Sequence, residues 1–148
     1  KTTVLNNIIS EKELFFIYKH IISSPTWKMN STSTFDRGLM YSPVLTVKDY
    51  QQDVSNYAFY LWGQSLVYRI AKLLDEKNIG IPTQIERMWF NATYHGKKTQ
   101  HWLHADGEEF KFRPGSAVIF DSKEFHKGES PASETFFWQR ITCNIIVG

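Results

Sequence analysis

One cysteine, Cys143, stands in 148 residues, so no internal disulfide can form. A small secreted domain stapled by disulfides is thereby excluded, and a reducing compartment is expected. No apolar run reaches the roughly 20 residues that a membrane-spanning helix needs. The opening KTTVLNNIIS has no apolar stretch of the kind a signal peptide carries. A large charge excess is missing too. Lys and Arg number 17 against 15 Asp and Glu, leaving +2, which gives no electrostatic footprint for nucleic acid or an anionic membrane. No repeat or low-complexity segment occurs. The location expected from this is cytoplasmic, or intracellular for a virus-encoded protein. The chain starts with Lys rather than Met, the start expected of a fragment or of the ordered part of a longer chain. Sequons at Asn30 and Asn91 are read as incidental, because chance matches are common.

What is abundant is apolar and aromatic. Apolar residues make up 42% and aromatics 16%, enough to bury a core, and the length predicts a single domain over residues 1–148. Ser10-Glu11-Lys12-Glu13 reads as a capping box. A helix should follow to about Ile22, with Leu14, Ile17, Tyr18 and Ile21 on one face and Ser23-Ser24-Pro25 ending it. The polar stretch NSTSTFDRG, Asn30 to Gly38, reads as a loop. A longer helix is expected from Asp53 to Lys77, where Phe59, Trp62, Leu66, Ile70 and Leu73 recur at spacings of three and four.

After Pro82 the period changes. Strands are expected at Ile85–Tyr94, Gln100–Asp106, Glu109–Arg113, Ser116–Asp121, Phe125–Gly128 and Phe136–Val147. Helices first (about 1–82) and strands second (about 83–148) predict an α+β fold, a sheet sandwich or barrel behind helical support.

Chemistry concentrates in HWLHADG, His101 to Gly107. On a strand, residues i and i+2 share a face, so His104 and Asp106 can reach one metal ion. A third ligand from another strand would complete one face of an octahedron. Two histidines and a carboxylate so arranged form the facial triad of non-haem Fe(II) oxygenases, with three positions left open. His126, after the strand SAVIFD, is the candidate third arm. Alone, it reads more simply as a surface histidine in the polar KEFHKGES. His101 lies three residues before His104 and so points to the opposite strand face. His95 falls in a turn and His20 on the first helix.

Arg140 sits in the apolar FFWQRITCNIIV. Alternation puts Arg140, Thr142 and Asn144 on one face, and Ile141, Cys143 and Ile145 on the other. A buried guanidinium needs an anionic partner. That partner is either a ligand carboxylate held bidentately or an internal Asp or Glu. An edge strand with its polar face in water is equally compatible.

The ordered set of H-x-D, the strand GSAVIF, a histidine and then an Arg in the last strand resembles the Fe(II)/2-oxoglutarate-dependent oxygenase superfamily, nearest its prolyl-4-hydroxylase-like branch. The resemblance covers roughly Ile85 to the C-terminus, and GSAVIFDSKEFHKG carries much of it. It implies a double-stranded β-helix (jelly-roll, cupin-like) core with N-terminal helices packed on one sheet. It implies metal ligands at His104, Asp106 and His126, and a 2-oxoglutarate distal-carboxylate clamp at Arg140. Tyr94, in NATYHG and ten positions before His104, matches a tyrosine that commonly binds the same carboxylate in such proteins, together with Thr142. The plain alternative for Tyr94 is a core tyrosine. Asn91 and Trp102 are secondary candidates for a pocket lining. The implied co-factors and co-substrates are Fe(II), 2-oxoglutarate and O₂, with ascorbate as an accessory reductant. The implied activity is hydroxylation of an aliphatic C–H, with a peptidyl proline or related amino-acid residue as the leading substrate class, or another small molecule.

Departures from the pattern bear on the fold. Only Gly107 to Pro114 separate H-x-D from the GSAVIF strand, room for about one strand. A missing segment is therefore expected between about Asp106 and Phe110, with a true deletion as the alternative. Arg140 follows His126 by fourteen residues, longer than usual, and SPASE, Ser130 to Glu134, reads as the insertion responsible. Arg stands where collagen-type prolyl hydroxylases use Lys. The nucleic-acid demethylase branch is disfavoured, because Ile145-Ile146-Val147 offers no second Arg. A substrate lid is expected between Asn30 and Ser42 or in the missing segment. Two rivals stand beside the oxygenase. One is a catalytically inactive β-helix module binding a metal or small acid. The other is a zinc hydrolase using His101, His104 and His126, which strand parity disfavours.

Overall fold

The structure, a computed structural model, describes residues 2–29, 39–94, 103–105, 108–110, 113–123 and 139–148. Among the described residues two helices and nine strands follow one another as β1 (Thr3–Leu5), α1 (Glu11–Ile22), β2 (Lys28–Met29), β3 (Leu39–Lys48), β4 (Gln51–Val54), α2 (Tyr57–Asp75), β5 (Ile85–Tyr94), β6 (Leu103–Ala105), β7 (Glu108–Phe110), β8 (Ala117–Ile119) and β9 (Gln139–Val147). The fold is α+β, and the strands form open antiparallel sheets. Among the described residues no helix is long and apolar enough to cross a membrane.

The chain divides into two compact units, Lys1–Pro25 with Thr93–Arg140, and Thr26–Ala92 with Ile141–Gly148. In the first unit, α1 begins as its sequence predicts. The Ser10 hydroxyl accepts the Glu13 N–H at 3.2 Å, with Glu11 and Glu13 beside the positive end of the helix dipole. Its C-terminus closes on Ser23, whose hydroxyl donates to the Lys19 carbonyl at 2.9 Å. Ile21 is buried and Leu14 and Ile17 half-buried, but Tyr18 is exposed, so the buried face is narrower than its spacing suggests. β1 pairs antiparallel with β8 in the register Thr3↔Ile119, Val4↔Val118 and Leu5↔Ala117. Beside them Gly115 sits at φ +74°, where a Cβ would lie 2.8 Å from the Ile9 carbonyl oxygen. Glycine is needed there for both the backbone angle and the close approach.

The second unit holds most of the five-stranded sheet, β2-β3-β5-β9 with β4 also on β3. β3 serves two partners along one edge. Met40 and Tyr41 face β2, and Leu45 to Lys48 face β4. Pro43, which has no N–H to donate, falls in the gap between these two pairings, where a proline is tolerated in a strand. β3 and β4 join through Asp49 and Tyr50 at φ 52° and 62°, a two-residue turn of the I′ kind. α2 crosses the sheet with Phe59, Leu66, Val67, Ile70 and Leu74 buried, against Ile85, Met88, Phe90 and Ala92 of β5. Phe59 meets Phe90 edge-on at 5.1 Å, and Trp62 stacks on Phe90 at 6.4 Å. Asn78 at φ 59° ends the helix turn, with Ile79 N–H donating to the Leu74 carbonyl at 2.9 Å. Gly148 N–H donates to the Gln84 carbonyl at 2.9 Å, tying the end of β9 to the start of β5 as in an antiparallel pair.

Several expectations are corrected. α2 starts at Tyr57, not Asp53, because Asn56 caps it by accepting the Phe59 N–H at 3.0 Å, while Gln51–Val54 are drawn into the β3 ladder. Strands therefore precede and separate the helices, and 39–54 belong to the sheet rather than to helical support. β8 is shorter than the Ser116–Asp121 expected for it, and Arg113 lies outside any strand, while residues 100–102, 106, 111–112 and 136–138 of the other expected strands lie outside the described residues. Ile85–Tyr94 is found with the expected bounds. The loop 30–38 and the strand 125–128 lie outside the described residues. Of the expected lid, 39–42 form the start of β3.

Candidate functional site

β6 carries His104 at its centre and pairs with β7 in the register Leu103↔Phe110, His104↔Glu109 and Ala105↔Glu108. Only two residues, Asp106 and Gly107, separate the paired Ala105 and Glu108, and Asp-Gly is a favoured sequence for so short a link. β6 ends at Ala105, one residue before Asp106. Asp106 and His126 lie outside the described residues, as do His95, His101 and Trp102. His20 is exposed on α1. Among the described residues, no three His, Cys, Asp or Glu side chains converge as metal ligands would.

The clamp residues are better placed. Tyr94 is the last residue of β5 and Arg140 the second of β9. These two strands are neighbours in the sheet, and their antiparallel run brings the end of β5 alongside the start of β9. Tyr94 and Arg140 fall in the same compact unit as His104, while Thr142 falls in the other. Arg140 is half-buried, and loss of hydration lowers its pKa from the ordinary value. A guanidinium pulled from water is stabilised by an anion that accepts its hydrogen bonds.

The two faces of β9 differ in chemistry, as alternation predicts. Thr142 and Asn144 follow Arg140 on one face. On the other, Cys143 is flanked by Ile141 and Ile145, and burial pushes its thiol up to about 12. Asn144 Nδ2 is buried and meets no hydrogen-bond partner among the described residues. Sequence alternation had put Asn144 on the polar face but gave it no role; an unmet amide is visible only once neighbours are in place. On β5, Met88, Phe90 and Ala92 are buried on the α2 side, while Trp89 and Asn91 between them are half-buried.

Comparisons of the chain with protein-family models, curated proteins and solved structures found no match. The functional reading therefore stands on these residues and on the motif order they follow.

Proposed function

We propose that this chain is an Fe(II)- and 2-oxoglutarate-dependent dioxygenase of the prolyl-hydroxylase-like kind, built on a double-stranded β-helix core and hydroxylating an aliphatic C–H of a peptidyl proline or related amino-acid residue. What supports the reading is the adjacency of β5 and β9, which sets the strand ends bearing Tyr94 and Arg140 side by side. A half-buried, desolvated Arg140 at that position suits the distal carboxylate of 2-oxoglutarate.

The donor chemistry fits the metal. His104, Asp106 and His126 offer two imidazoles and a carboxylate, a set that leaves positions open for a bidentate acid and O₂. Fe(II) held there would supply the oxidising chemistry, with 2-oxoglutarate and O₂ as co-substrates and ascorbate as accessory reductant. The chain's own contributions are positional. Arg140 fixes the acid by two parallel hydrogen bonds, and the Tyr94 and Thr142 hydroxyls add donors to the same carboxylate. Desolvation of this end of β9 strengthens each of those contacts, because charges attract more strongly where water is excluded.

Anaerobic titration of the apo protein with Fe(II) and 2-oxoglutarate tests the reading. A weak visible charge-transfer band is expected. Arg140→Ala should raise the 2-oxoglutarate concentration needed by about two orders of magnitude, the loss of about 3 kcal/mol. Iron binding with no band at any 2-oxoglutarate concentration would assign the fold to metal or small-acid binding without turnover.

A further inference from the structure

We propose that the outward face of α1 around Phe15 is an interface for a second copy of this chain, two such helices crossing antiparallel on a two-fold axis. The inference is independent of the oxygenase reading. It concerns α1 alone, which lies wholly within one compact unit.

The starting point is apolar surface on the side of the helix that does not pack. α1 is anchored by Ile21, with Leu14 and Ile17 half-buried. A helix buried on one side is expected to carry polar and charged residues on the other. Here Phe15 is 60% exposed, Phe16 53%, Tyr18 49% and Ile22 46%. At about 200 Å² per side chain, these four leave on the order of 400 Å² of apolar surface in water. A single exposed apolar residue needs no explanation, but a patch of this size on one short helix points to an interaction site.

The charges around the patch select its partner. Glu11, Phe15 and Lys19 lie four residues apart along one ridge of the helix, and all three are exposed. Tyr18 and Ile22, three and seven positions on from Phe15, flank the same ridge. An acid stands about 6 Å before Phe15 along the axis and a base the same distance after it. Turned end for end about Phe15, the ridge meets its own complement: Phe15 against Phe15, Glu11 against Lys19 and Lys19 against Glu11. Lys12 comes against Tyr18 in the same register, an ammonium towards an aromatic ring. Lys19 already makes such a contact within the helix, 5.3 Å from the Phe15 ring centre. Ridges of this spacing interdigitate at a crossing angle of about 50°, which confines the contact to the few turns that α1 has.

The helix dipole accounts for the signs of Glu11 and Lys19, but not for the apolar residues set between them. An anionic membrane would attract Lys12 and Lys19 and repel Glu11 and Glu13, whereas an inverted copy uses both signs. Two faces together remove on the order of 800 Å² of apolar surface, less than a standard interface. A weak dimer follows, with a dissociation constant on the order of 0.1 mM.

Sedimentation equilibrium of the whole chain from about 0.01 to 1 mM tests this. Wild type should pass from monomer to dimer across the range. Glu11→Lys sets lysine against lysine, and Lys19→Glu sets glutamate against glutamate; each should weaken self-association by about tenfold or more. An equimolar mixture of the two variants restores both opposite-charge contacts between unlike chains and should dimerise as wild type does. Charges that only stabilise the helix would give no such rescue. Should either charge variant fail to fold, Phe15→Gln removes the central contact and leaves the charges in place; it too should weaken the dimer by about tenfold. A wild type that stays monomeric, variants that dimerise like wild type, or a mixture that stays monomeric overturns the proposal. Binding of the wild type to phosphatidylglycerol vesicles without self-association also overturns it, and assigns the face to a lipid surface.

Discussion

Among the described residues, Cys143 has a side chain whose chemistry is strongly changed by its surroundings. Its thiol pKa is raised from 9.0 to about 12 by burial between Ile141 and Ile145. The thiolate is the reactive form, so Cys143 should resist alkylation by iodoacetamide at pH 8 in the native chain and react once the chain is unfolded. Because the folded pKa exceeds the unfolded one, the unfolded state loses its proton first as pH rises. The stabilising contribution is complete below pH 9 and is lost between pH 9 and about 12, at up to about 1.4 kcal/mol per pH unit. Denaturant melts across that range should fall less steeply for Cys143→Ala than for wild type; equal slopes would mean the thiol is not shielded. Gly63 makes a second case. A Cβ there would lie 2.5 Å from Met88 Sδ and 2.8 Å from its Cε. Gly63→Ala gains helix propensity of about 1 kcal/mol but overpacks the core where Met88 is fully buried. Overpacking costs about 1–3 kcal/mol, so a net loss of stability is expected, and Met88→Ala in the same chain should relieve the clash in a double-mutant cycle.

Among the elements, the β3–β4 hairpin is held by a turn that its residues do not favour. Asp49 and Tyr50 both adopt positive φ, and Tyr50 is wholly exposed at the tip. Aspartate tolerates this conformation, but tyrosine carries the full Cβ penalty. Replacing the pair by Asn-Gly should raise stability by about 1 kcal/mol, measured by urea midpoint at constant slope. A loss would show that the tyrosine ring makes a contact worth more than its strain. This hairpin also marks what sequence reading could not reach. Residues 51–54 (Gln, Gln, Asp, Val) hold a single strand former, and the sequence places Asp53 and Val54 in the helix that follows. They become a strand because β3 lies alongside. The capping box at Ser10 and the bounds of β5, by contrast, were legible, since Ser and Glu three apart, and an aromatic run between Pro82 and Gly96, act within a few residues of themselves.

For the whole molecule, the N-terminal strand is a long-range commitment. β1 lies against β8, pairing residues more than a hundred positions apart, and Leu5 is buried there. Leu5→Ala should cost about 2–4 kcal/mol. Hydrogen exchange should show the loss first at the amides of Ala117 to Ile119, with Met88 and Phe90 of β5, in the other compact unit, keeping their protection. Uniform loss across both would mean that the two units unfold as one. The candidate site divides along similar lines. Its residue types and order, His104, Asp106, His126 and Arg140, can be read from the chain alone, because metal ligation and carboxylate binding demand particular side chains. So can the two-faced character of β9, because alternation is a local property of an extended backbone. The neighbour β9 would choose, the hydration Arg140 would lose and the amide Asn144 would leave unmet could not be read this way. They depend on strand pairing between residues far apart in sequence, where many registers are locally equivalent and only the packed core selects among them.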